Sequence, residues 1–238
     1  MTLFLNGGGS GEQTTTIYEL FKRNIDTSKP LLYIPFAMPN EKYSVCFEWI
    51  SEELAQINFP KIDMVISAEE ITKRNLSNYS AIFIGGGNTY KLLKELKKCA
   101  SFKQIKEYLE NGGTVFGGSA GEILFGVSID SCQHADPNEV NLHDTSGFDM
   151  VFGCYLGAHY TNKNPEQTLQ AERNYKELSY KATVIALPEE CTLVITNNRV
   201  SVIGTKDYYL FKKGERIKQI SNNLYTTSEF LALTDAQS

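Results

Sequence analysis

The chain has no C-x-x-C pair, and its five cysteines (Cys46, Cys99, Cys132, Cys154 and Cys191) are scattered and odd in number. This argues against a disulfide framework or a thiolate zinc site and leaves reduced, packed thiols. There is no basic stripe: 23 Lys and Arg stand against 28 Asp and Glu, interspersed, for a net charge of −5. A nucleic-acid surface is therefore not expected. No run approaches the roughly 20 apolar residues that span a bilayer. The opening Met1-Thr2-Leu3-Phe4-Leu5-Asn6 carries no basic leader, and its apolar run is too short for a signal peptide. The expectation is a cytoplasmic protein without a membrane partner. No G-K-[ST] follows any glycine loop, which excludes a P-loop, and Glu12 stands where a dinucleotide fingerprint needs its third glycine. The three histidines include no H-x-x-x-H or H-E-x-x-H pair. No metal or other cofactor is expected, although His134 and His143 lie among carboxylates. No internal repeat, low-complexity stretch or linker interrupts the chain.

At 238 residues, with 42% hydrophobic and 21% charged residues, the composition is that of a soluble globular protein with a full core. One domain, 1–238, is expected. Strands and helices alternate along it. Leu3-Phe4-Leu5 runs through Gly7-Gly8-Gly9-Ser10-Gly11 into a helical pattern over 14–24. Leu31 to Ala37 is a continuous apolar run of the kind found in strands covered on both faces. A helix is predicted over 43–56, a strand over 61–65 and a short helix or turn over 71–76. Ala81-Ile82-Phe83-Ile84 leads through Gly85-Gly86-Gly87-Asn88-Thr89 into a helix over 90–98, and another helix over 102–110 ends at the C-cap signal Asn111-Gly112-Gly113. Strand-like runs follow over 151–159 and 183–187, with a helix over 165–180 between them. Two hairpins, 192–204 and 208–220, close the pattern. The prediction is an α/β fold with a doubly wound, mostly parallel sheet and C-terminal antiparallel hairpins. Such sheets bind ligands at the carboxyl ends of their strands, so all three glycine loops are expected at one edge.

The most informative stretch is Thr114-Val115-Phe116-Gly117-Gly118-Ser119-Ala120-Gly121-Glu122. It has the G-x-S-x-G form of a nucleophile elbow, in which a strand turns sharply into a helix and holds a serine hydroxyl clear of the sheet. The same form also arises as a bare structural turn. A nucleophilic serine needs a base and a group that orients the base. His159, at the end of its apolar run, is the candidate base or else a structural histidine; His134 and His143 are expected at the surface. The orienting acid is Glu189, just past a strand, or one of Asp130, Asp136 and Glu139 in the polar segment 129–148. The Gly7-Gly8-Gly9 loop serves either close substrate approach or a plain turn.

Taken in order, Gly85-Gly86-Gly87-Asn88-Thr89, Gly117-Gly118-Ser119-Ala120-Gly121, His159-Tyr160-Thr161-Asn162 and Leu187-Pro188-Glu189 resemble the aspartyl dipeptidase (peptidase E) and cyanophycinase family of serine peptidases. Ile34-Pro35-Phe36-Ala37, Asp144 and Gly147-Phe148-Asp149 fit the same pattern. The resemblance implies a class I glutamine amidotransferase-like fold with Ser119 as nucleophile, His159 as base and Glu189 as third member. It also implies an oxyanion hole from the N–H groups of Gly87 and Ala120, a substrate contact at Asn88, and neither metal nor cofactor. The dipeptidase branch also assigns an aspartate between the serine and the histidine to the charge relay, the interval that Asp130, Asp136 and Glu139 occupy here. Two positions depart from that branch: Gly118 replaces a tryptophan, and the Gly7-Gly8-Gly9 loop is closer to cyanophycinase-like relatives. The implied activity is hydrolysis of small acidic peptides, foremost dipeptides with N-terminal aspartate. The alternatives are another aspartyl-linked, cyanophycin-like substrate, or a binding protein of the same fold without catalysis. The implied partner is a small peptide, and the chain is expected as a monomer or homodimer.

Overall fold

The computed structural model describes residues 1–235. Its first half alternates strand and helix: β1 Thr2–Asn6, α1 Thr15–Arg23, β2 Leu31–Ile34, α2 Tyr43–Glu53, β3 Ile62–Met64, α3 Ala68–Thr72 and β4 Ala81–Ile84. Then come α4 Thr89–Lys97, α5 Ser101–Glu110, β5 Thr114–Gly118 and the one-turn α6 Ala120–Ile123. After an irregular segment follow β6 Tyr155–Gly157, α7 Pro165–Leu178, β7 Val184–Ala186, β8 Cys191–Thr196 and β9 Arg199–Gly204. The chain continues with β10 Tyr208–Lys212, β11 Glu215–Gln219, β12 Asn223–Thr226 and α8 Thr227–Thr234.

The main sheet has the order β12-β9-β8-β1-β5-β4-β2-β3. From β1 to β3 the pairing is parallel, and β8, β9 and β12 add antiparallel strands beyond β1. All four residues of β2 are buried, as a strand sandwiched between helical layers requires. Successive side chains take opposite faces, and the two faces differ in chemistry. One is aliphatic: Leu3, Leu5, Leu32, Ile34, Ile82 and Ile84 pack with Leu92, Leu93 and Leu96 of α4 and with Ile105 and Leu109 of α5. The other carries an aromatic row across four neighbouring strands, because Phe4 pairs with Phe116, Phe116 with Phe83, and Phe83 with Tyr33. Phe83 and Phe116 stack with centroids 4.8 Å apart and planes 7° from parallel. This face packs against Tyr18 and Phe21 of α1 and Cys46 and Ile50 of α2.

The predicted α/β architecture with C-terminal hairpins is present, divided between two sheets. The runs at 151–159 and 183–187 do not extend the main sheet. Their ordered parts, β6 and β7, pair in parallel and join β10 and β11 in a second sheet of order β11-β10-β7-β6. Beside β1 the main sheet instead takes β8 (Thr2 opposite Thr196). The short helix predicted over 71–76 lies earlier, with Ser67 before its first turn and Glu69 and Glu70 inside it, where carboxylates suit the positive helix end. All five cysteines are free, four of them buried. No helix among the described residues is long and apolar enough to cross a membrane.

Candidate active site

Ser119 is held in a backbone conformation that few side-chain-bearing residues adopt, with φ 54° and ψ −114°. Such strain persists only where surrounding structure enforces it. Two glycines make the turn possible: a Cβ on Gly117 would lie 2.4 Å from the Gly121 carbonyl oxygen, and one on Gly121 2.2 Å from that of Ile84. Gly118 faces open space. The Ser119 N–H donates to the Asn6 carbonyl at 3.0 Å, which ties the elbow to the end of β1.

The Ser119 hydroxyl lies 2.8 Å from His159 Nε2, and His159 Nδ1 lies 2.8 Å from Glu189 Oε1. A carboxylate only accepts, so Nδ1 carries the proton and Nε2 offers its lone pair to the serine hydroxyl. Burial pushes the His159 pKa below its ordinary value; the hydrogen bond to Glu189 opposes this, and the charge of Lys163 adds to it. The imidazole is thus an unprotonated acceptor at neutral pH. Of the acids weighed for the third place, only Glu189 hydrogen-bonds to His159. Asp136 instead accepts from the Thr89 N–H at 2.8 Å and the Thr89 hydroxyl at 2.6 Å, which fixes the start of α4. Asp130 begins a short 3-10 turn, and Glu139 is exposed.

The three glycine loops do meet at the carboxyl edge of the sheet. A Cβ on Gly8 would fall 2.2 Å from His159 Cε1, and one on Gly86 3.1 Å from the Cβ of Ser119. Side chains at these positions would displace the imidazole or crowd Ser119. Among the described residues, the Gly87 and Ala120 N–H groups have no acceptor within the protein's loops, turns and caps. Asn88, expected to touch substrate, uses both ends of its amide inside the protein: its oxygen caps α4 through the Lys91 N–H, and its nitrogen donates to the Pro137 carbonyl.

Sequence reasoning missed the residues that hold this arrangement. Asn6 accepts from the Gly8 and Gly9 N–H groups at 2.9 and 2.8 Å, and its nitrogen donates to the carbonyls of Glu189 and Cys191 and to the Thr192 hydroxyl. The Gly7 carbonyl accepts from the His159 N–H at 2.8 Å. The first glycine loop is therefore a clasp around the base, neither a plain turn nor only a route for substrate. Gln13 donates to Glu189 Oε2 at 3.1 Å, and Asn162 accepts from the Glu189 N–H at 2.9 Å. The only local signal for Asn6 was a polar side chain ending an apolar strand just before glycines. His134 departs from its expected surface position: it is half-buried, edge-on to Tyr175 at 5.3 Å. His143 is exposed.

A sequence model of peptidase family S51 matches residues 3–203. The chain belongs to peptidase family S51. It is 29% identical over 194 residues to peptidase E of Nostoc sp., covering 79% of this chain and 77% of the relative. To peptidase E of Salmonella arizonae it is 27% identical over 205 residues, 82% and 86% of the two chains. Among solved structures, a Listeria monocytogenes protein described as a peptidase E candidate superposes with a TM-score of 0.70 at 24% identity, over 86% of this chain and 98% of that one. A peptidase from an acI-B1 actinobacterium gives 0.73 at 18% identity, over 94% and 96%. At these identities the two structures establish the shared fold.

One carboxyl group next to the elbow stands apart from this hydrogen-bond network. Glu122, in the first turn after Ser119, is wholly buried, and neither carboxyl oxygen has a hydrogen-bond partner among the described residues. Burial raises its pKa well above the usual carboxylate value. Below that usual value the folded and unfolded chains both carry the proton. Above it the unfolded chain ionises while the folded chain resists, so stability is lost as pH rises toward the folded pKa. Glu122→Gln is expected to flatten the melting temperature between pH 5 and 8. It should also stabilise the protein at pH 8, where ionisation in the unfolded chain opposes folding of the unsubstituted protein. Parallel melting curves for the two proteins across that range would refute the assignment.

Proposed function

We propose that this chain is a serine peptidase that hydrolyses small peptides through an acyl-enzyme on Ser119, with dipeptides bearing N-terminal aspartate as its substrates. The observation that carries the reading is the continuous relay from Ser119 Oγ through His159 to Glu189, with both links at 2.8 Å. Ser119 Oγ attacks the scissile carbonyl carbon while its proton passes to His159 Nε2. The oxygen of the tetrahedral intermediate accepts from the Gly87 and Ala120 N–H groups. The C–N bond then breaks, and the leaving amine takes the proton from Nε2. Water repeats the sequence: it gives a proton to Nε2 and attacks the ester carbon, and Ser119 leaves with the proton restored. Throughout, Glu189 holds the imidazole in its tautomer and stabilises the cation that forms.

A fluorophosphonate probe tests the reading. It should label the protein only when Ser119 and His159 are both present, and labelling should fall at acid pH along a limb set by a base weaker than ordinary histidine. Hydrolysis of Asp-Ala, with Ala-Ala as control, tests the substrate. Absent labelling together with intact peptide binding would identify a non-catalytic binding protein.

A further inference from the structure

Beside Ser119 opens a cleft of about 450 Å³ that includes the Ser119 and His159 side chains in its wall. Its floor is part of the aromatic row, Tyr33, Phe83 and Phe116, and its sides are Tyr18 of α1 and Val45 and Trp49 of α2. Val45 and Trp49 are four residues apart and share one helix face. Val45 is 61% exposed and Trp49 37%. Trp49 meets Phe83 edge-on, with ring centroids 6.2 Å apart. The chain thus leaves large apolar side chains uncovered where a substrate must pass to reach the serine. The one charged side chain in the lining is Lys42.

We propose that this cleft is a specificity pocket that takes a large apolar side chain, best an aromatic one, from the residue flanking the scissile bond. The proposal rests on the peptidase reading above. Two physical arguments fix the occupant's chemistry. The cleft lies in the size range of ligand pockets and far exceeds an aspartyl side chain, whereas an aromatic ring buries apolar area against the walls and meets ring faces and edges in favourable geometry. A carboxylate deep in the cleft would lose its water to the negative faces of aromatic rings without a cation at their depth. The cleft therefore suits the partner residue of an aspartyl dipeptide, with the aspartate held outside it. Gly118, whose Cβ position faces open space, keeps the approach from Ser119 clear.

Trp49 is the only tryptophan in the sequence, so its emission reports occupancy of the cleft directly. Ser119→Ala protein, which binds without turnover, is titrated with Asp-Phe, Asp-Leu, Asp-Ala and Phe-Ala. Asp-Phe and Asp-Leu are expected to shift Trp49 emission saturably and to bind at least tenfold more tightly than Asp-Ala. Val45→Asp, at an exposed position that folding tolerates, should bring the Asp-Phe to Asp-Ala ratio of kcat/KM close to one. Equal affinities throughout the series, or an unmoved Trp49 signal on saturation, would overturn the pocket; Asp-Ala hydrolysis by the unsubstituted protein would still leave the peptidase reading standing. Binding of Phe-Ala more tightly than Asp-Ala would keep the pocket and reject aspartate as the preferred N-terminal residue. If the probe fails to label Ser119, the titration still decides the pocket, because it requires no chemistry.

Discussion

Ser119→Ala should lower kcat by about 10⁴-fold or more while leaving KM within a few-fold. In the proposed mechanism the hydroxyl is the atom that bonds to the scissile carbon, and its hydrogen-bond partner His159, 2.8 Å away, is its base. On the same proposal, the residual rate comes from the binding cleft and from the Gly87 and Ala120 N–H groups, assigned to the oxyanion whatever the attacking atom. His159→Ala should be about as damaging, and the double substitution no worse than either single one, because the two groups act as one unit. Steady-state kinetics on a dipeptide that the unsubstituted protein cleaves measures all three. A Ser119→Ala protein that keeps a tenth of the activity would end the acyl-enzyme mechanism.

Glu189→Gln should cost about 10⁴-fold in kcat with little change in fold or melting temperature. Gln13 donates to Glu189 Oε2 at 3.1 Å. In the substituted protein that donor holds the new side chain by its carbonyl oxygen and turns the NH₂ group toward His159. The imidazole must then accept at Nδ1 and carry its proton on Nε2, the tautomer that cannot take a proton from Ser119. Asp136→Asn gives the contrast. Asp136 receives two hydrogen bonds from Thr89, so its substitution should act on the start of α4, at about 1 kcal/mol of stability, with kcat changed by no more than a few-fold. If Asp136→Asn proved the more damaging to kcat, the third member of the relay would be misassigned.

Much of this site was legible in the sequence because its signals are local. The elbow announces itself through Gly117 and Gly121, whose missing side chains the tight turn demands, and His159 and Glu189 each fall just beyond an apolar run. Strand-end placement favoured Glu189 over Asp130, Asp136 and Glu139 without deciding it, since chain distance says nothing about which loop folds back onto the imidazole. Asn6 and Gln13 stayed hidden for the same reason: their partners lie more than 170 residues away. The split into two sheets also escaped the pattern, because the apolar runs of β6 and β7 do not reveal which strands they pair with. By contrast, α8 carried a signal that went unread. Thr226 and Glu229 form a capping box, with Glu229 accepting from the Thr226 N–H at 2.7 Å and the Thr226 oxygen accepting from the Glu229 N–H.

The Asn6 clasp bears on when the molecule becomes active. Its amide joins the end of the first strand to Glu189, Cys191 and Thr192, up to 186 residues later, so the base cannot be seated until both ends of this span have come together. Contacts of such separation form late, after shorter loops have closed. On the proposed mechanism, a growing chain that contains Ser119 and His159 but ends before Glu189 is expected to be inert.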